Sequence, residues 1–185
     1  MIYTTGFFIT SNSEALRQVG RYAAEHDKPM GFNLSAVFLL HIAKDDILFA
    51  IEHADYVFCN EDEASAYAEL VAGLDPKDRV GAAKHLAKSQ KANGKRQRRV
   101  IFTQGPEPVI LATSQEDGSE PIIELIDVPA VANDSIVDTN GAGDAFVGAF
   151  LSSLVRGVSV NEAITHGITL SGEVVQRDGC TFNTL

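Results

Sequence analysis

Cysteine is nearly absent from this chain: only Cys59 and Cys180 occur among 185 residues, far apart in the sequence. Two distant thiols cannot staple a small secreted fold, so a disulfide framework is excluded; both read as buried thiols in a reducing compartment. Long apolar runs are missing too. No stretch approaches the roughly 18 to 20 residues of a membrane-spanning helix, and the N-terminus lacks the basic-then-apolar order of a secretory signal. The chain is therefore expected to be soluble and intracellular, with no membrane partner. Basic side chains are in deficit, 15 against 25 acidic for a net charge of −10, a balance that argues against a nucleic-acid partner. His26, His41, His53, His85 and His166 show no metal-ligand spacing, so they read as surface or helix-packing residues and no zinc site is expected. Repeats, low-complexity tracts and interdomain linkers are absent as well. What is present, 45% apolar and 22% charged residues, suits a single domain over 1–185 with enough material for a core.

Strand-length apolar runs alternate with helix-period segments, the order of an α/β layer fold with a mostly parallel sheet and helices on both faces. The first strand is expected over Ile2 to Phe8. Ser11 stands three residues before Glu14, a capping-box spacing, and Ala15, Leu16, Val19, Tyr22 and Ala23 follow at helical intervals until Pro29 ends the unit. Met30 to Leu34 reads as a second strand, Asp45 to His53 as a helix, and Tyr56 to Cys59 as a third, buried strand, with a helix from about Glu61. Asp75-Pro76 opens another helix, carried by Val80, Ala83, Leu86 and Ala87. The polar stretch from Lys91 to Arg99 reads as a loop, and its Lys95-Arg96-Gln97-Arg98-Arg99 run as a solvated basic turn. Val100 to Thr103 is a buried strand; Val109 to Thr113 and Ile122 to Ile126 form an antiparallel pair across the turn at Asp117-Gly118. The last quarter is helical: Phe146, Val147, Phe150, Leu151 and Leu154 share a face, and Ser159 with Glu162 caps a helix reaching Gln176.

The densest chemical signal is Ile136-Val137-Asp138-Thr139-Asn140-Gly141-Ala142-Gly143-Asp144-Ala145-Phe146, an extended piece that meets a glycine pair and then a helix. Glycines allow a tight turn whose N–H groups converge, and the helix start adds roughly half a positive charge, so the segment is built like an anion site. Asp144, in the first turn, can accept a proton where a phosphoryl group lands. A dinucleotide fingerprint fails, because Phe146 stands where its third glycine belongs; a Walker A loop fails for want of a lysine. A plain glycine turn capped by an aspartate stays open on these residues alone. Asn60-x-x-Glu63 follows a buried strand with both side chains on one helix face, as a helix cap or as ligands for a hard cation such as Mg²⁺. Thr103-Gln104-Gly105 ends a strand at the carboxyl edge, where open α/β sheets bind ligands.

The run Asp138-Thr-Asn-Gly-Ala-Gly-Asp-Ala-Phe-Val-Gly resembles the C-terminal signature of the ribokinase (PfkB) carbohydrate kinase family. Its asparagine, together with Gly6-Phe7-Phe8, Asn33-Leu34-Ser35-Ala36, Asn60-Glu61-Asp62-Glu63-Ala64, Lys95-Arg96-Gln97-Arg98, Val100-Ile101-Phe102-Thr103-Gln104-Gly105 and Gly179-Cys180-Thr181-Phe182, is similar to the adenosine kinase branch. The resemblance implies a ribokinase-like three-layer fold and an ATP-dependent phosphotransferase that makes AMP from adenosine in purine salvage. It implies Asp144 as the catalytic base and Gly141, Ala142 and Gly143 as a backbone anion hole. ATP would contact Asn140, Thr139, Thr103, Gln104, Gly105 and Asn60; adenosine would contact Asn33, Asn140, Asp144 and one of Phe7 and Phe8. Adjacent strand residues face opposite ways, so the other phenylalanine is expected in the core. Asn60 and Glu63 would organise Mg²⁺ through water.

Family members run to nearly twice this length, and the matching part is the C-terminal half, without the lid and the ribose clamp. An unpaired sheet edge, exposed apolar surface and impaired turnover are therefore expected. The family implies a monomer in the cytoplasm or nucleus, with self-association through that edge. A catalytically inactive ATP-binding module and a kinase for another sugar or nucleoside are the alternatives.

Overall fold

Residues 1–179 and 181 are described by the structure, a computed structural model; the expectations for Cys180 and Phe182 lie outside them. The chain divides into two compact units, 1–127 and 128–185.

The first unit is a six-stranded sheet in which spatial order follows chain order: β1 (Ile2–Thr5), β2 (Met30–Asn33), β3 (Tyr56–Cys59), β4 (Arg99–Gln104), β5 (Glu107–Thr113) and β6 (Ile122–Ile126). The first four strands are parallel. β4–β5 and β5–β6 are antiparallel, so the interruption read from the sequence begins one strand early. Alternate residues Phe32, Val57, Cys59, Val100, Phe102, Ile110 and Ala112 join one core with α1 (Phe7–Glu25), α3 (Lys44–His53), α4 (Glu61–Tyr67) and α5 (Arg79–Lys88). Fully burying each larger side chain contributes about 1.5–3 kcal/mol. β1 and β6 are the edges among the described residues, and Met1, Phe7, Phe38 and Ile42 are exposed apolar groups. A short helix, α2 (Val37–Ile42), was not foreseen.

Three local expectations need correcting. β1 stops at Thr5 and the helix begins at Phe7, because Gly6 takes helical φ/ψ of −59° and −32°, although its N–H still donates across to Asn33 O at 2.7 Å, and to Ser35 Oγ at 3.0 Å. α1 kinks at Asn12, whose Oδ1 accepts from the Ala15 N–H at 2.9 Å; the cap is Asn12, not Ser11. Asp75-Pro76 makes only a turn, and α5 starts at Arg79 with Asp78 Oδ1 accepting from Gly81 N at 2.8 Å.

The basic run is a solvated turn only in part: Lys95 is exposed in a turn, but Arg98 is not. Arg98 is 1% exposed, and its guanidinium donates to the carbonyls of Ile51, Ala54, Leu86, Ser89 and Gln90 at 2.7–3.3 Å. It thereby caps the carboxyl ends of α3 and α5, supplying donors to the Ala54, Ser89 and Gln90 carbonyls and a further one to those of Ile51 and Leu86, which also accept from the Ala54 and Ser89 N–H groups. Arg96 donates to Asp27 O and pairs with the Asp27 carboxylate, both at 2.7 Å. Burial pushes the Arg98 guanidinium down to about 10, so it stays a cation at neutral pH.

The second unit holds α6 (Ala142–Val155) and α7 (Val160–Val174), which pack on each other. A Cβ at Gly167 would stand 2.8 Å from the Phe146 ring, so the crossing needs glycine there. Ser153 Oγ, fully buried, bonds His166 Nδ1 at 2.8 Å. Ser159 caps α7 as expected, accepting from Glu162 N at 3.3 Å.

Candidate active site

Four segments that the sequence singles out leave the sheet at one edge. Register pairs Thr5 with Asn33, Asn33 with Phe58, and Cys59 with Phe102, so Asn33, Thr103 and Gln104 end parallel strands at the carboxyl edge, and Gly6-Phe7-Phe8, Asn60 and Gly105 follow directly after such ends. Binding sites of open α/β sheets are built at such an edge.

Gly6 lies where two exits cross: a Cβ there would be 2.2 Å from Leu34 O. The start of α1 makes Phe7 and Phe8 helical neighbours, 50% and 38% exposed, and the buried residue of that turn is Ile9. Neither phenylalanine is core, against the expectation for one of them. The Phe7 ring lies 6.2 Å from that of Phe38. Beside them Ser35 holds φ +71°, costly for a residue with a Cβ. It is kept there by Asn33, whose Oδ1 accepts from Ser35 N at 3.0 Å and whose carbonyl accepts from Ser35 Oγ at 3.1 Å. Ser35 stands in the Asn33-Leu34-Ser35-Ala36 segment that carries the resemblance, but nothing in the sequence announced its conformation, since the cause is this closed set of bonds.

Asn60 and Glu63 are joined as a capping box. Asn60 Oδ1 accepts from Glu63 N at 2.8 Å and Glu63 Oε2 accepts from Asn60 N at 3.0 Å. Glu63 is 3% exposed, and burial pushes its carboxyl up to about 7, against the lowering effect of the Asn60 and Ser35 N–H groups; Asp62 and Glu61 push further upward. Among the described residues no three His, Cys, Asp or Glu side chains converge as a metal cage. The donor set on offer, one amide and one carboxylate already bonded to backbone, suits only a cation that keeps most of its water, as Mg²⁺ does.

Thr103 Oγ1 reaches Cys59 O at 3.5 Å, next to Asn60. A bulge between Phe102 and Gln104 and Gly105 at φ +57° turn the chain into β5. Both ends of the Gln104 amide are held: Oε1 accepts from Arg79 Nη1 at 3.1 Å and Nε2 donates to Pro108 O at 2.6 Å. Arg79 carried no signal in the sequence.

In the second unit the glycine-rich turn is tethered by the N–H groups of Val137 and Asp138, which donate to Val175 O at 2.8 and 3.3 Å. Asp138 Oδ1 accepts from Asn140 N at 2.9 Å. Gly141, at φ +78°, reverses the chain into α6, a conformation that favours glycine. Ala142 N donates to Thr139 O at 3.3 Å and Ala145 N to Gly141 O at 2.8 Å. The N–H groups of Gly143 and Asp144, between them, have no acceptor among the described residues. Thr139, Asn140, Gly143 and Asp144 are exposed. A Cβ at Gly143 would meet nothing within 4 Å, so the chain itself has no steric need of glycine there.

Residues 1–185 match the model of the pfkB family of carbohydrate kinases. Adenosine kinase 1 of Arabidopsis thaliana is 39% identical over 180 residues, 97% of this chain and 50% of that protein. The adenosine kinase of Schizosaccharomyces pombe is 37% identical over 182 residues, 98% and 52%. Among solved structures, Anopheles gambiae adenosine kinase in complex with P1,P4-di(adenosine-5) tetraphosphate superposes with a TM-score of 0.88 at 37% identity, covering 96% of this chain and 51% of that one. Schistosoma mansoni adenosine kinase in complex with 2-fluoroadenosine gives 0.89 at 32%, covering 99% and 52%. The chain thus spans about half the length of the curated relatives it matches.

Proposed function

Since the chain belongs to the pfkB family of carbohydrate kinases, we propose that it carries the phosphoryl-transfer machinery of an adenosine kinase, forming AMP and ADP from adenosine and ATP. The observation that carries this reading is the start of α6: adjacent N–H groups of Gly143 and Asp144 without acceptors among the described residues, open space over Gly143, and an exposed carboxylate in the same turn. Donors fixed at a helix start hold phosphoryl oxygens without reorganising; of Gly141, Ala142 and Gly143, the residues expected to form that hole, Gly143 offers an open N–H with that of Asp144 beside it, whereas the Ala142 N–H donates to Thr139 O at 3.3 Å. Asp144 takes the proton of the nucleoside 5′-hydroxyl as its oxygen bonds the γ-phosphorus and the bond to the ADP oxygen breaks.

Thr139 and Asn140 flank the hole on the nucleotide side, and Asn140 also reaches the nucleoside. Thr103, Gln104, Gly105 and Asn60 line the ATP channel; Asn33 with Phe7 or Phe8, both exposed, receives the adenosine, the ring face offering a stacking platform. Asn60 and Glu63 hold Mg²⁺ through its water shell. That ion, when bound, neutralises charge on the phosphates. Location in the cytoplasm, a role in purine salvage and a monomeric state complete the reading. Because the residues at hand match about half of each relative, these 185 residues alone are proposed to turn adenosine over slowly.

Asp144→Asn tests this. AMP formation under single-turnover conditions should fall about 10²–10⁴-fold, while the thermal midpoint stays in place because the side chain is exposed. Unchanged AMP formation in Asp144→Asn overturns the assignment.

A further inference from the structure

Arg79 is the first residue of α5, where its charge meets the positive end of the helix, an unfavourable placement. No carboxylate of the described residues lies within ion-pair distance of it. Its guanidinium is instead bound to neutral acceptors on two different elements. Nη1 donates at 3.1 Å to Oε1 of Gln104, the last residue of β4, and Nε donates to Ser65 Oγ at 3.4 Å. Ser65 Oγ in turn donates to Glu61 O at 2.7 Å in the first turn of α4, the turn that also contains Asn60 and Glu63.

We propose that Arg79 is a positioning residue that clamps these two segments to each other and, through Gln104, sets the affinity for ATP; the proposal rests on the nucleotide reading above. A cation placed against a helix dipole and bonded only to uncharged oxygens gains nothing from ion pairing. What it supplies is geometry: a rigid planar fork spans two acceptors at once, which a lysine ammonium on a flexible stem does not reproduce. With Nε2 of Gln104 already held by Pro108 O, the Arg79 bond fixes the remaining end of the amide, so its plane cannot rotate. The turn carrying Thr103, Gln104 and Gly105 is thereby presented in one orientation beside the start of α4.

The test compares Arg79→Ala, Arg79→Lys, Gln104→Ala and the Arg79→Ala/Gln104→Ala double variant of the 185-residue chain. ATP affinity is read by calorimetry with Mg²⁺, and the Gln104 side-chain amide is followed by NMR without ligand. Arg79→Ala is expected to move the Gln104 amide pair toward its free position and to raise the ATP Kd about tenfold, with Arg79→Lys restoring little of it. The double variant should bind no more weakly than Gln104→Ala alone, because a residue acting through another adds nothing once that other is gone. A wild type that binds ATP beside an Arg79→Ala variant with unchanged Kd overturns the proposal and leaves the nucleotide reading standing. A Kd penalty for Arg79→Ala that persists in the Gln104→Ala background overturns the route through Gln104. A wild type that binds no ATP overturns the nucleotide reading and this proposal with it. Should Arg79→Ala fail to fold, Arg79→Gln is read in the same three ways.

Discussion

The carboxyl edge of the first unit and the glycine-rich turn of the second are built on opposite plans. At the edge, the chain uses its own polar groups: Asn60 and Glu63 cap each other, Gln104 is tied at both ends, Asn33 holds Ser35, and Gly6 is needed because a carbonyl lies against it. In the turn, donors of adjacent residues have no acceptor among the described residues, and Gly143 has open space above it. The first arrangement is explained by folding. The second leaves exposed helix-start donors to solvent and places in the first turn of α6 a glycine that no neighbouring side chain requires, at a cost in helix stability. On the proposed reading the two plans have different uses: a stiff edge orients a substrate, and open donors receive a charged group.

Breaking a tie in the first unit should therefore cost stability, and the largest loss is expected at Arg98. Arg98→Met removes a buried cation and takes the guanidinium donors from the carbonyls of Ala54, Ser89 and Gln90, and from those of Ile51 and Leu86, which keep the N–H groups of Ala54 and Ser89. A loss of about 4 kcal/mol or more in urea unfolding, followed by circular dichroism, is expected. A loss below about 1 kcal/mol, the range of an exposed charge, would erase the contrast.

Glu63 gives a smaller, pH-dependent effect. Its carboxyl is raised to about 7 in the folded chain, against about 4.3 for an unfolded glutamate. Between those values the folded state binds more protons than the unfolded one, so the stability from this group is full below about pH 4.3 and is lost as pH rises through about 7. Glu63→Gln keeps a neutral acceptor for the Asn60 N–H. It should flatten the slope, matching the wild type near pH 4 and exceeding it by about 2 kcal/mol at pH 8 without Mg²⁺. Parallel pH–stability curves for the two proteins would show that burial does not set this carboxyl.

Much of the first unit was legible because its signals are local. Tyr56-Val57-Phe58-Cys59 is a short β-rich run, and the structure gives β3 those same limits; Asn60-x-x-Glu63 is a spacing that makes a cap, and the cap is present. Signals that depend on distant partners misled. Lys95 to Arg99 has the composition of a solvated turn, and Arg98 is buried only because helix ends from two other elements converge on it. Phe7 and Phe8 continue a strand pattern, which the helical turn at Gly6 cuts short. The glycine-rich turn was legible because its glycines and Asp144 are consecutive in sequence. Ser35 and Arg79 were not, since their roles lie entirely in bonds to other elements.

The smallest stability effect sharpens the contrast most. Alanine at Gly6 puts a methyl 2.2 Å from a backbone oxygen, and Gly6→Ala should destabilise the chain by at least about 1 kcal/mol. Alanine at Gly143 meets nothing and favours the helix, so Gly143→Ala should leave stability unchanged or raise it by up to about 1 kcal/mol. The same methyl stands over the N–H groups proposed to hold phosphate, and ATP affinity should fall about tenfold. Thermal melts and ATP calorimetry on both variants separate the effects: stability should move in Gly6→Ala and binding in Gly143→Ala. A Gly143→Ala protein that keeps its ATP affinity would mean that the open turn is only a turn, and that the reason for its unbonded donors must be sought elsewhere.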